Sequence, residues 1–300
     1  MSRTTAQIDL GRQEAMSIQR QRAQRSRLLS RILLYATVIL LSLIFVLPFI
    51  WMISTSLKDD PQTFRVPPIW IPNPMRFANY PESLTRQPFG LFFLNTLWYA
   101  IPAAIGAVLS SAVVAYGFAR IRWRGRDILF FICLTTIMIP FQVRMVPLYL
   151  IFKNLGWLNS YKPLIIPAFF GNPYFIFLLR QFFMSIPQEL SEAARIDGAN
   201  EWNILTSIIL PLSKPALAVV ALFQFMAAWN DYLGPLIYLN RANLFPVSLG
   251  LEAFNSAFAE SLRWPYTMAA STVVITPIIL LFFFTQRTFV EGVTITGIKG

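Results

Sequence analysis

Ser185-Ile-Pro-Gln-Glu-Leu-Ser-Glu-Ala-Ala-Arg-Ile-Asp-Gly-Ala-Asn-Glu-Trp-Asn-Ile-Leu-Thr-Ser-Ile-Ile-Leu-Pro-Leu-Ser-Lys-Pro215 is the most polar long stretch between two strongly apolar blocks in the second half of the chain. Its residues predict a short helix, a break and a second helix. Ser185 is placed to cap the first helix, whose opening turn takes Pro187 and carries Glu189, a carboxylate near the positive end of the dipole. Gly198 supplies a left-handed residue to end that helix, and Asn200 is suited to cap the next. Between these limits Ala193, Ala194 and Gly198 add almost no side-chain bulk, flanked by Glu192, Arg195 and Asp197. A small helix with charged edges is shaped to enter a groove on another protein. The plainer reading is an ordinary interfacial helix-turn-helix.

The chain around this stretch has 300 residues, 56% of them hydrophobic and only 13% charged. Soluble domains carry about 25% charged residues. Long apolar runs recur from residue 32 to residue 290, which makes the chain a polytopic membrane protein. The net charge of +11 does not indicate nucleic acid, because the basic residues cluster at the ends of apolar runs, as topology signals do. The single cysteine, Cys133, lies inside an apolar run and excludes an intramolecular disulfide framework. The first 31 residues are too polar and too long for the leading region of a cleavable signal peptide, and their Gln/Arg-rich composition points to disorder or a helix on the lipid surface.

The chain then divides into a cytoplasmic tail (1–31), a first span (32–57) kinked at Pro48, a Pro-rich outer loop (58–90), a core with five further spans (91–289) and a second tail (290–300). The proline density of the outer loop forbids a long helix. Such a loop suits contact with a soluble partner or serves as a connector. The second span, Leu91 to Ala119, presents small and polar residues at Gly106, Ser110, Ser111 and Gly117, a face suited to close helix packing in lipid. Arg120, Arg122, Arg124 and Arg126 follow it and mark the cytoplasm, with anionic lipid heads as a compatible ligand. A third span runs from about Ile128 to Leu150, with Gln142 and Arg144 at the outer interface or lining a polar cavity. The fourth, Pro163 to Phe183, is interrupted at Gly171-Asn172-Pro173, which must be buried in protein or line a water-filled cavity.

The fifth span is expected from about Ile208 to Leu239. It carries Gln224, Trp229, Asn230 and Asp231. Amides and carboxylates bind sugar hydroxyls while an aromatic face stacks on the ring, so these residues and Asn172 form the candidate substrate path. An intersubunit hydrogen-bonding device is an equal reading of the same residues. A sixth span runs from about Tyr266 to Phe289, after an outer loop over 240–266. Basic residues on the assigned inner side are about twice those outside, so six spans with both termini cytoplasmic is the consistent solution.

Glu192-Ala193-Ala194, three residues, Gly198, nine residues, Ile208, one residue, then Leu210-Pro211 resembles the EAA loop of ABC importer permeases. Arg195-Ile196-Asp197-Gly198, the Trp229-Asn230-Asp231 element and the Pro140 and Pro147 elements resemble the carbohydrate-uptake branch, over roughly residues 90 to 300. The resemblance implies an all-α integral membrane fold of type I ABC importer permease architecture. It implies that Glu192, Ala193, Ala194, Asp197 and Gly198 couple the chain to an ATPase through residues 185–215. ATP and Mg would bind those partner subunits, and this chain would hold no cofactor. A second permease, an extracytoplasmic solute-binding protein, membrane lipid and a bacterial or archaeal plasma membrane complete the expectation.

The chemistry absent from the chain agrees with that picture. There are no histidines, so no histidine relay or triad can be built, and one cysteine leaves no ordinary metal site. No phosphate-cradling P-loop sequence occurs. No convergent nucleophile, base or metal set points to catalysis. The competing reading is a secondary carrier working without an ATPase, but Asp231 is the only strong acid within the expected spans.

Overall fold

The computed structural model describes the backbone of residues 2–258 and 263–294 and the side chains of residues 27–256 and 263–286. Glu260, the side chains of the tail arginines before Arg27, and the side chains from Arg287 to Gly300 lie outside the described residues. The described chain is helical, without a strand.

Helix α1 runs unbroken over Ser2–Ser56. The tail backbone therefore continues the first span, where disorder or a separate surface helix was expected. Within α1, Arg27–Ser56 is long and apolar enough to cross a membrane, yet none of its apolar window is buried by the rest of the chain. It packs along α15, Trp264–Thr294, the last helix. Its C-terminal end is fastened by the Pro-rich loop, which holds α2 (Asp60–Thr63) and α3 (Asn79–Arg86). Asn79 Nδ2 donates to the carbonyls of Ser56 and Lys58 at 2.8 and 2.7 Å, and Ser56 shares a 2.8 Å hydrogen bond with Tyr80. Lys58, expected to mark the outer surface, is fully buried: its ammonium lies 3.7 Å from the Trp51 ring centroid and donates to Thr55. Burial lowers its pKa, because the charged form loses water. Glu82 on α3 accepts from Arg76 and from the Tyr266 hydroxyl, tying the loop to α15.

Helix α4, Phe89–Ala119, is the centre of the molecule. Its small residues decide this. Ala100, Ala103, Ala107, Ala112 and Ala115 are buried, and Gly106 lies so close to Phe169 that a β-carbon there would sit 2.5 Å from the ring. In lipid the hydrophobic effect does not drive helices together, so close packing and hydrogen bonds decide which helix sits inside. After α4 come α5 (Arg126–Thr135), a 3₁₀ turn and α6 (Phe141–Asn154). One span was expected over 128–150; the two helices instead meet at 97°, with Pro140 leading into α6. Proline removes a backbone donor and opposes continuation of the preceding helix. Gln142 and Arg144 are exposed on α6.

Helix α7 (Lys162–Ile165) and a 3₁₀ turn, Ile166–Phe170, lead to the interruption at Gly171-Asn172 and then to α8, Pro173–Ser185. The freed backbone groups find partners on α4. Gly171 N–H donates to Ser110 Oγ at 3.1 Å, and Ser110 Oγ donates to Ala168 O at 2.9 Å. Helix α9 spans Gln188–Ile196; α10, Glu201–Ile204, continues through a π-turn, Leu205–Ile209, into α11, Leu210–Leu212. An 80° bend leads into α12, Lys214–Asn230. Counted as one bent span, Glu201–Asn230 starts before and ends before the expected 208–239, and Leu233–Tyr238 forms a separate short helix, α13. The expected outer loop over 240–266 contains α14, Val247–Phe258. Asn95 and Thr96 of α4 bind it down: Asn95 donates to Asn243 and Phe245 carbonyls, and Thr96 accepts from Val247 N–H at 2.8 Å. By length and composition the described residues hold four candidate spans, or six when each of two bent pairs is counted as one.

Candidate coupling loop and substrate path

Ser185 is the last residue of α8, where a cap for the next helix was expected; its hydroxyl turns back to Phe182 O at 2.7 Å. Pro187 instead precedes α9, with no side-chain cap. The carbonyls freed at the end of α8 are taken by Arg120, whose Nη2 donates to Phe183 O and Ile186 O, both at 2.6 Å. One of the four clustered arginines is therefore a helix-end clamp.

The end of α9 is a Schellman turn. Gly198 N–H donates to Arg195 O at 3.1 Å and Ala199 N–H to Ala194 O at 2.9 Å, with Gly198 at φ +84°. No atom lies within 4 Å of a β-carbon built there, so backbone conformation alone favours glycine. Asn200 Oδ1 then accepts from Asn203 N–H at 2.8 Å and opens α10. The two short helices are held in a fixed corner.

On α9, Ser191 is buried and Ala194 half-buried against the core. Glu192, Ala193, Asp197 and Gly198 are exposed. So are Leu190, Ile196 and Trp202, at 44%, 87% and 62%. Leu190, Ala193 and Ile196 recur every three residues, which places them along one side of the helix. This apolar strip was missed in the sequence because it is short and sits among charges; its spacing was the available signal.

A second missed feature lies between α9, α10 and α4. Arg195 Nε donates to Glu201 Oε1 at 2.7 Å and Nη2 to Oε2 at 3.2 Å, while Tyr116 of α4 donates to Glu201 Oε2 at 2.5 Å. The Glu201 carboxylate pushes the Arg195 pKa up, so the guanidinium stays charged. Glu201 thus joins the short helix α9 to the central helix α4 through fixed hydrogen bonds. A bidentate Arg–carboxylate pair transmits orientation as well as attraction.

The residues of the candidate substrate path are not gathered at one point. Asn172 caps α8, accepting from Tyr174 N–H at 3.0 Å, and its own N–H donates to Ser111 of α4. Gln224 is half-buried on α12. Trp229 is 4% exposed, packed with Phe89, Phe92 and Phe254 and against Phe93 and Phe225. In this conformation its indole is buried in the core. Asn230 is exposed and donates to Met226 O. Asp231 accepts from Gly234 N–H at 3.0 Å, and its carbonyl accepts from Ser248 at 2.6 Å. Its carboxylate is thus engaged by its own turn. No hydrogen bond or ring contact among the described residues joins Asn172 to Trp229, Asn230 or Asp231, and no cluster of metal-ligating side chains occurs among them.

Residues 112–295 match the family described as binding-protein-dependent transport system inner membrane component. The chain belongs to this family: it is an ABC importer permease, a membrane subunit with the corresponding helical fold. It is 32% identical over 263 residues to the arabinooligosaccharides transport system permease protein AraQ of Halalkalibacterium halodurans, covering 87% of this chain and 93% of that protein. The diacetylchitobiose uptake system permease protein NgcG of Streptomyces coelicolor is 31% identical, over 87% of this chain and 86% of the relative. The sn-glycerol-3-phosphate transport system permease protein UgpE of Yersinia enterocolitica is 34% identical, over 78% and 85%. A solved structure of a bacterial ABC transporter involved in the import of the acidic polysaccharide alginate superposes with a TM-score of 0.75 at 27% identity, covering 86% of this chain and 96% of that one.

Proposed function

We propose that the chain carries a carbohydrate or carbohydrate-derived solute inward, and that residues 185–215 dock the ATPase that drives it. The observation that carries the docking is the exposed strip Leu190, Ala193 and Ile196 beside Trp202, on a helix fastened to the central span by Arg195, Glu201 and Tyr116. Apolar side chains exposed on a water-facing helix are stabilised by insertion into a partner's groove, in the manner of helix-in-groove recognition. Glu192 and Asp197 flank that strip and set its register, and Gly198 fixes the corner that passes motion onward. ATP and Mg bind the partner subunits and supply the energy; this chain's part is to convert movement of α9 into movement of α4.

The carbohydrate assignment draws on the relatives, whose names include an arabinooligosaccharide and a diacetylchitobiose permease. The glycerol-3-phosphate relative widens the class to small polyol derivatives. Asn172, Gln224, Asn230 and Asp231 offer the polar groups along the path, with Trp229 holding the α12 end in place. A second permease completes the path, and an extracytoplasmic binding protein delivers solute to the outer loops. Both termini face the cytoplasm of a bacterial or archaeal cell, since Arg120 to Arg126 share one end of the bundle with α9.

The test is copurification of the tagged chain in mild detergent, with and without Gly198→Asp, followed by uptake in vesicles. The wild type should bring down an ATPase subunit and a second permease and take up sugar only with ATP, and the variant should lose transport. A chain that purifies alone and moves solute without ATP would establish the secondary carrier instead.

A further inference from the structure

We propose that the arginine cleft between the α4–α5 turn and the end of α8 is a phosphate-binding site, occupied in the membrane by the headgroup of an anionic phospholipid. The cleft is a cavity of about 230 Å³ lined by Arg120, Arg122, Arg126, Arg180, Met184 and Gln188, with no carboxylate in its lining. A neighbouring cavity of about 400 Å³ shares Arg120, Arg122, Arg126 and Gln188 but is also lined by Glu192 and Glu201, so it is the less basic of the two.

The donors in the smaller cleft are incompletely used. Arg120 spends Nη2 on the end of α8 and donates Nη1 to Pro187 O at 3.5 Å, while its buried Nε has no partner. Arg180 donates Nε to Phe118 O and lies 4.2 Å from the Phe130 ring centroid. Arg126 pairs with Asp127 at 2.9 Å; Asp127 is also 3.9 Å from Arg180, but its side chain is 73% exposed. Arg122 makes no hydrogen bond or ion pair among the described residues. Four guanidiniums line this cavity with no carboxylate among its lining residues, Asp127 pairing with Arg126 from solvent and Glu192 and Glu201 lying in the adjoining cavity, so their mutual repulsion is relieved when an anion enters. Guanidinium forks match phosphate oxygens in geometry as well as charge.

The surroundings favour a lipid as the source of that phosphate. Met184, in the last turn of the apolar helix α8, is half exposed, and Trp123 stands exposed on the same turn as the arginines. Tryptophan and basic residues at the end of a span mark the depth of the headgroups. An inner-leaflet phospholipid can place its phosphate in the cleft while its chains lie along α8. A lipid held there would brace the turn behind α9, next to the helix assigned to ATPase docking. The site itself does not depend on that assignment.

The experiment uses the full chain in its purified assembly, titrated with fluorescent phosphatidylglycerol or phosphatidylcholine in detergent, with inorganic phosphate as competitor. Phosphatidylglycerol should bind in preference to phosphatidylcholine. Arg122→Gln should weaken it about ten-fold, the loss of one charge-assisted hydrogen bond to the phosphate. Arg124→Gln removes the same charge outside the cleft and should leave binding unchanged. Equal weakening by both variants, or no preference between the lipids, would overturn the site in favour of diffuse attraction. Displacement of phosphatidylglycerol by millimolar inorganic phosphate would keep the phosphate site but overturn the lipid as its occupant.

Discussion

Helices α1 and α4 both contain about thirty residues able to cross a membrane, yet they occupy opposite places in the molecule. None of the apolar window of α1 is buried within the chain, against 44% for α4. The difference lies in the residues between the large apolar ones. From Leu28 to Ile50, α1 turns exposed Leu, Ile, Val and Phe side chains outward, whereas α4 carries alanines, Gly106, Ser110 and Ser111 where its neighbours approach. Hydropathy decides that a helix crosses; side-chain size decides what it touches. The helices also differ in where they are held. The Pro-rich loop grips the end of α1, while α4 connects through Tyr116 to Glu201 of α10 and from there to Arg195 of α9.

The sharpest way to break this contrast is to enlarge the packed face of α4. Gly106→Val should cost about 1–3 kcal/mol or more, because the new β-carbon meets the Phe169 ring, and folded protein should fall in a detergent thermal-melt assay. Leu40→Ala on exposed α1 should leave the same melt within about 0.5 kcal/mol. Equal losses would mean that α1 is as much a core helix as α4.

The next largest effect falls on Gly198, in the turn between α9 and α10. Gly198→Ala should cost about 1–2 kcal/mol, set by its left-handed backbone rather than by crowding. Transport should drop more than membrane yield, as measured by ATP-dependent uptake per inserted protein. Unchanged uptake would detach the corner from coupling. Glu201→Gln and Tyr116→Phe should each cost about 0.5–1 kcal/mol, since the Arg195–Glu201 pair is part-exposed. Their effects should be less than additive in a double-mutant cycle, because both remove the same bridge. Full additivity would show that α9 and α4 are not joined through this carboxylate.

The smallest effect concerns the grip of the Pro-rich loop on α1. Hydrogen bonds from Tyr266 and Arg76 hold the Glu82 pKa below its ordinary value of 4.5. The unfolded chain therefore binds the proton more readily, and the anchor's stabilisation is present above pH 4.5 and lost as pH falls through the lowered folded value. Tyr266→Phe should move that loss to higher pH, read by hydrogen exchange of Asn79 to Arg86. An unchanged profile would place the anchor elsewhere.

Local chemistry was readable directly from the sequence. Six apolar segments, the interruption at Gly171-Asn172, the glycine-ended helix and the asparagine cap that follows it are written in neighbouring residues, because span length, left-handed turns and caps are short-range properties. Pairings across the chain were not. Glu201 meets Tyr116 from 85 residues away, and Arg120 clamps Phe183 from 63 away. Trp229, which looked like a sugar platform beside Asn230 and Asp231, is drawn into an aromatic core by Phe89, Phe92 and Phe254. Lys58, which looked like a solvent marker, is closed over by the folded outer loop. The residues alone therefore determined that this chain crosses a membrane as a permease with a small polar helix between its spans. The tertiary structure decided which span is central, where the broken ones bend and which charges meet, because those depend on shape and on distance in space rather than along the chain.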